Sequence, residues 1–335
     1  MTALAPLAVS LGDPAGVGPE LIAEAWSQRQ AHALPPFFVV GGAQVLSAAA
    51  QGRGSAIAVV TVSEPSEAKE VFGSGIPVLG SEDGDWAPGK PSRSGASLAL
   101  RSLEIAAQLA FTGQASGLVT GPVSKALLAD VGFIHPGQTE FVAEACCVEP
   151  GNAVMMLAGP SLRTVPLTIH IPLADVPRAL NTETIVRKAR IVANALKSDF
   201  GIASPRLAIC GLNPHSGEDG RFGSEEASII APAIEALRSE GIAATGPHPA
   251  DSLFAPHERA RYDAALAMYH DQALIPIKAL DFDRGVNVTL GLPIVRTSPD
   301  HGTAFSIAGK GVANPGAMIA AIRMAGECAG RRATV

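Results

Sequence analysis

A surplus of positive charge is missing from this chain. Its 335 residues carry 25 Lys and Arg against 31 Asp and Glu, a net charge of −6 with His neutral. That balance argues against a general nucleic-acid or anionic-membrane surface, so any anionic ligand must be held by a few placed cations. No apolar run reaches the ~20 residues that span a bilayer. A disulfide framework is missing too. The four cysteines, Cys146, Cys147, Cys210 and Cys328, form no C-x-x-C pair, and a vicinal pair rarely closes an unstrained disulfide. Reduced, mostly buried thiols and a cytoplasmic protein are the expectation. Met1-Thr2-Ala3-Leu4-Ala5-Pro6 lacks the basic n-region of a signal peptide. Aromatics are few, at 4%, while 47% hydrophobic residues is ordinary for a globular enzyme.

What is present is an alternation of short apolar runs and helical patterns, the signature of α/β architecture. Residues 6–12, 36–41, 56–62 and 116–121 read as strands, and 19–31 and 94–111 as helices. The rhythm then breaks. Residues 152–157 and 163–171, separated by Gly159-Pro160-Ser161, read as an antiparallel hairpin. Helices at 183–198 and 224–239 follow, with strand 206–212 between them, then strands 263–269 and 286–290 and a last helix at 315–329. The expected fold is an α/β/α mixed sheet with a lobe inserted mid-chain.

Three of the eight histidines each close a strand-like run and open a loop: His170, His215 and His270. Neutral imidazoles at strand ends can converge on a divalent metal, although none of the pairs has a local ligand spacing. Downstream of His270, Lys278, Asn287 and Arg296 sit among apolar neighbours, where a cation usually has an anionic partner. A phosphate or carboxylate would satisfy them, as would Asp281, Asp283 or Asp300. Asp251 and Asp271 can serve as proton acceptor, as orienter of a ligand histidine, or as turn caps. Gly12-Asp13-Pro14-Ala15-Gly16-Val17-Gly18 follows a strand and opens a helix, where backbone N–H groups can meet an anion or cofactor. It is not the G-x-G-x-x-G of a Rossmann site, and a tight structural turn explains it equally. In the run from Asp300 to Pro315, Gly302, Gly309 and Gly311 let a loop fold back, and His301 and Asn314 offer polar edges to an adenine or ribose. This run resembles the adenosine-binding loop of the isocitrate and isopropylmalate dehydrogenases.

Taken together, these blocks resemble the 4-hydroxythreonine-4-phosphate dehydrogenase family of vitamin B6 biosynthesis, nearly end to end. The similar segments include Gly12–Glu20, Thr120–Lys125, Gln138–Phe141, Asn213–Glu218, Gly246–Asp251, Tyr269–Lys278 and the loop at 300–315. The resemblance implies an isocitrate/isopropylmalate dehydrogenase-like fold of two lobes. Residues 1–130 with 297–335 would form the cofactor side, and 131–296 the metal, substrate and dimerisation side. The active site would lie in the cleft and at a homodimer interface. It further implies that His170, His215 and His270 ligate a divalent metal, with the third histidine coming from the partner subunit. Thr139, Lys278, Asn287 and Arg296 fall on substrate-contacting positions, Asp251 and Asp271 on acidic positions of the same site. The loop residues His301, Gly302, Gly309 and Asn314, with Gly12 and Asp13, would meet the cofactor.

One position departs: Gln138 stands where the family has His. Gln can donate a hydrogen bond to a phosphate oxygen but carries no charge and moves no proton. His135, three residues upstream, is a conceivable substitute. The implied reaction is oxidation of 4-phosphooxy-L-threonine at C3 by NAD or NADP, then decarboxylation to 3-amino-2-oxopropyl phosphate. Zinc suits three imidazoles, with magnesium or cobalt as alternatives. Gln138 keeps open a sister activity on D-threonate or D-erythronate 4-phosphate, or on a dicarboxylic cis-dihydrodiol. A metal- and phosphate-binding protein without redox activity is the reading from a different class.

Overall fold

The short apolar runs become strands. In chain order they are β1 (Leu7–Ser10), β2 (Phe37–Val40), β3 (Val59–Val62), β4 (Ile76–Leu79), β5 (Leu118–Thr120), β6 (Val154–Ala158), β7 (Arg163–Pro166), β8 (Arg206–Cys210), β9 (Ala243–His248), β10 (Ala264–Ala267), β11 (Val286–Leu290) and β12 (Arg296–Pro299). The structure is a computed structural model that describes residues 4–334; Met1, Thr2 and Ala3 of the segment read against a signal peptide, and Val335, lie outside it. The chain divides into two compact units, one running to Pro150 and resuming over Leu292–Thr334, the other spanning Gly151–Gly291. The cuts differ from the expected 130/131 and 296/297 for a packing reason. Phe133 is buried with Ala99, Leu103 and Leu128, and Phe141 packs against that cluster, so this stretch folds with the first unit.

In the first unit the strands run in parallel in the order β3-β4-β2-β1-β5-β12. Every residue of β1, β2, β5 and β12 is buried. Successive strand side chains point to opposite faces, so both faces of this sheet are covered, as parallel sheets require. The helix Arg93–Phe111 begins on Ser92, whose side chain accepts from Gly95 N at 3.1 Å. Inside that helix Ser102 accepts from Leu11 N at 2.9 Å and donates to Val40 O at 2.7 Å. A buried hydroxyl thus ties the helix to the ends of two strands.

The second unit orders its strands β11-β6-β7-β10-β8-β9. β6 is antiparallel to both β11 and β7, while β7, β10, β8 and β9 are mutually parallel, giving the expected mixed sheet. The expected hairpin between β6 and β7 forms, and buried Asp281 accepts from Ser161 N at 2.8 Å and Ser161 Oγ at 3.0 Å in its turn.

Some local readings needed correction. His270 opens the helix His270–Asp281 rather than a loop, with Pro276 inside it. The helix expected at 224–239 begins as a π turn, Glu226–Ile230, before the α-helix Ala231–Ser239. Among the cysteines Cys146, Cys210 and Cys328 are buried, Cys147 is exposed, and all are free thiols. Burial pushes the Cys146 thiol up to about 11 and the Cys210 thiol up to about 12. Both stay protonated and unreactive near neutral pH. Among the described residues no helix is long and apolar enough to cross a membrane.

Candidate active site

The three histidines lie just past the carboxyl ends of β7, β8 and β10, which are neighbours in the order β7-β10-β8. In open parallel sheets, ligands gather at this edge. Thr168 N and Thr168 Oγ1 both donate to Met268 O, at 3.2 and 2.8 Å, so the chains leaving β7 and β10 stay side by side. As a result His170 and His270 stand with ring centroids 6.0 Å apart. They line one pocket of about 270 Å³ with Thr168, Tyr269 and Asp271. His270 Nδ1 lies 2.7 Å from Asp271 Oδ1, the arrangement that fixes the tautomer and direction of a ligand imidazole.

His215 occupies a separate turn, with its ring 6.4 Å from that of Phe222, and the short helix carrying Asp251 packs on that turn. Two of the histidines hold left-handed backbone, φ 55° at His170 and φ 52° at His215. Few residues other than glycine adopt that conformation, histidine more often than most, and it concentrates at functional sites. Among the described residues no group of three His, Cys, Asp or Glu converges to hold a metal within one chain. The donor chemistry nevertheless fits one: imidazoles at three neighbouring strand ends, one of them oriented by a carboxylate, suit zinc or cobalt better than magnesium. Within one chain the His170 and His270 rings are neighbours, and His215 stands on its own turn beside Phe222.

A residue without an assigned role in the sequence links these strand ends. Gln272 accepts from Met268 N at 2.7 Å and donates to Gly211 O at 2.8 Å, spanning the chains that lead to His270 and His215. Only its place beside the His270-Asp271 pair hinted at this. Lys278 is half-buried on the same helix, and on β11 the amide oxygen of Asn287 is buried without a hydrogen-bond partner.

In the first unit the cation is Arg296, 3% exposed. Its Nη2 donates to Thr120 Oγ1 at 2.7 Å and, at 3.5 Å, to Gln138 Oε1, and Nη1 donates to Thr139 Oγ1 at 3.4 Å. Gln138 and Thr139 open the helix Gln138–Ala145, whose first N–H groups favour an anion. Burial pulls the guanidinium down to about 10, against the upward pull of the Glu140 carboxylate, so it stays cationic at neutral pH. Gln138 also donates to Gly121 O at 3.2 Å. His135 does not take the place of the missing histidine. Its ring packs edge-on between Phe133 and Phe141, with Nδ1 3.5 Å from Glu144 Oε2. Thr120 is the contact that the sequence reading missed, although it stands in the Thr120–Lys125 block.

The loop at 300–315 is pinned to the glycine-rich start of the chain. Val17 N donates to Thr303 O at 2.9 Å and Gly309 N to Glu20 Oε1 at 3.1 Å. Gly302 has open space around its Cα, so a ligand can approach its backbone. His301 Nδ1 sits 3.0 Å from Gly302 O and must donate there, leaving Nε2 as a buried acceptor without a partner. Asn314 Oδ1 accepts from Gly316 N at 2.8 Å and so helps to start the last helix. Gly12 and Asp13, the other expected cofactor contacts, are tightly packed. Asp13 is 2% exposed, its Oδ1 accepts from Ala15 N at 2.9 Å, and burial pushes its carboxyl up. Gly12 has φ 75° with a virtual Cβ 2.7 Å from Pro122 O. The pair builds a closed turn.

Known proteins are similar to this chain along nearly its whole length. The sequence profile described as "Pyridoxal phosphate biosynthetic protein PdxA" matches residues 33–325. A 4-hydroxythreonine-4-phosphate dehydrogenase of Erythrobacter litoralis is 62% identical over 328 residues, covering 98% of each chain. The crystal structure of 4-hydroxythreonine-4-phosphate dehydrogenase from Klebsiella pneumoniae is 36% identical, with a TM-score of 0.86 over 98% of this chain and 99% of that one. A terephthalate 1,2-cis-dihydrodiol dehydrogenase from Burkholderia xenovorans is more distant, 29% identical with a TM-score of 0.65 over 98% of this chain and 99% of its own. With the profile and the relatives both running through the histidine strand ends and Arg296, the chain belongs to the pyridoxal phosphate biosynthetic protein PdxA family.

Proposed function

We propose that this chain is an oxidoreductase that oxidises 4-phosphooxy-L-threonine at C3 with NAD+ or NADP+, followed by loss of CO2 to give 3-amino-2-oxopropyl phosphate for pyridoxal phosphate biosynthesis. It works in the cytoplasm as a homodimer. The observation that carries this reading is Arg296, a buried guanidinium aimed at Thr139 and Gln138 on the first turn of a helix. A phosphate monoester is the ligand that such a group binds best, because the planar fork matches its oxygens. Lys278 adds a second charge to the substrate's grip, and the open Asn287 oxygen accepts from its ammonium or hydroxyl group.

His170 and His215, with His270 of a second copy of the chain, hold the divalent ion. When bound, that ion supplies Lewis acidity toward the C3 hydroxyl, and a nicotinamide ring supplies the hydride acceptor. Asp271 is engaged with His270 and orients it, which leaves Asp251 to take the hydroxyl proton. The open acceptor on His301, the bare backbone at Gly302 and the Asn314 amide receive the adenosine end of the nucleotide.

Gln138 favours a second reading, since a neutral side chain lets the pocket take another phosphorylated hydroxy acid or a dihydrodiol. Turnover of 4-phosphooxy-L-threonine against 4-phospho-D-threonate separates the two. Preference for the threonine ester is expected, and a strong preference for the threonate would transfer the chain to the sister activity.

A further inference from the structure

From Asn213 to Gly223 the backbone does something that this composition does not favour. His215, Ser216, Gly217, Glu218, Asp219 and Gly220 all have positive φ, between 42° and 88°. Successive N–H groups close back three residues, as in Ser216 to Asn213 O at 3.1 Å and Gly220 to Gly217 O at 2.9 Å. Four of the six residues are not glycine, so this is a left-handed turn of L-residues, a form seldom seen beyond single positions. Such a turn persists only where its surroundings over-determine it.

The surroundings converge on one carboxylate. Glu226 is 7% exposed, and its Oε1 accepts from Leu212 N at 2.8 Å and Asn213 N at 2.7 Å. Its Oε2 accepts from Asn213 Nδ2 at 3.0 Å, and Glu225 Oε2 takes the same amide at 2.8 Å. A Cβ on Gly217 would come within 2.7 Å of Glu226 Oε2, so the turn wraps the carboxylate with no space to spare. Glu226 itself starts the π turn Glu226–Ile230, a distortion that often sits at functional sites.

We infer that Glu226 is a positioning residue for His215: its carboxylate clamps Leu212 and Asn213 and so holds the left-handed turn that aims the imidazole. The inference rests on the reading of His215 as a metal ligand. Gln at this position keeps the shape but sets an NH2 group against the Asn213 amide, donor to donor. The turn then relaxes toward ordinary backbone and His215 leaves its aim.

Cobalt(II) titration of the full chain, read by the visible absorption of the bound ion, tests this. The unsubstituted protein is expected to give a spectrum that His215→Ala abolishes. Glu226→Gln is expected to weaken cobalt affinity about tenfold or more, with the far-UV circular dichroism unchanged. Asn213→Ala, which removes only the amide contacts, is expected to weaken it by less. Cobalt affinity within about threefold of the unsubstituted protein in both variants, set against the tenfold or greater loss expected of an outer-shell partner, would overturn the assignment of Glu226 while leaving the metal reading intact. A spectrum that His215→Ala leaves unchanged, or none at all, would instead overturn the metal reading and the assignment with it.

Discussion

Arg296→Met is expected to lower kcat/KM for 4-phosphooxy-L-threonine about a hundredfold or more, with the far-UV circular dichroism unchanged. The reason lies in where the charge sits. Arg296 is 3% exposed, and the partners its Nη groups reach on Thr120, Thr139 and Gln138 are neutral oxygens. Burial is what draws its pKa down to about 10, against the upward pull of the Glu140 carboxylate. A dianionic phosphate is expected to pair with this guanidinium, so the loss on truncation is that of a buried, hydrogen-bonded charge pair, about 2–5 kcal/mol. Arg296→Lys should not restore activity, because a point charge cannot reach several acceptors at once. On the alkaline side, kcat/KM should fall as pH rises through about 10, where the guanidinium loses its proton. Activity within about threefold of the unsubstituted protein, far short of the loss a buried charge pair predicts, would remove Arg296 from the substrate site.

His270→Ala is expected to be the most damaging single change, with turnover reduced at least about a thousandfold and bound metal lost in parallel. Asp271 fixes the direction of the His270 imidazole through a 2.7 Å contact, the orientation that a ligand offered to a second copy of the chain needs. Removing the imidazole takes away a ligand that its neighbours cannot replace. Asp271→Asn should be milder, weakening metal affinity about 10–100-fold through the loss of orientation alone. Metal content per chain and steady-state turnover, measured on the same preparations, check both expectations. Full metal content in His270→Ala would show that this histidine is not a ligand.

The features legible in the sequence were those that periodicity and residue chemistry carry directly. The all-buried runs of β1 and β2, the β6–β7 hairpin at Gly159-Pro160-Ser161 and the strand-end placement of the histidines all stood in the pattern. The departures trace to proline and to side chains that act over a distance. Pro77 in β4 and Pro276 in the helix that His270 opens each broke a local rule that the tertiary fold overrides. The left-handed run from His215 to Gly220 was not foreseeable from His, Ser, Glu and Asp, because what sustains it is Glu226, reaching back from the next helix. Gly12 and Asp13 match a cofactor loop in composition, which does not reveal that the Asp13 side chain is buried. Arg296 was legible as a cation among apolar neighbours; its nearest hydroxyl, on Thr120, comes from a strand far away in sequence.

The most direct test follows both products of one incubation. The chain is mixed with 4-phosphooxy-L-threonine and NAD+, or NADP+ in parallel, and reduced nucleotide and released CO2 are counted before chelation, after it, and after zinc or cobalt is returned. The expected result is reduced nucleotide and CO2 in equal amounts, both lost on chelation and both recovered with the metal. Reduction that survives chelation, or none with either nucleotide and any of these metals, would contradict an oxidative decarboxylation that depends on an ion held by the three histidines.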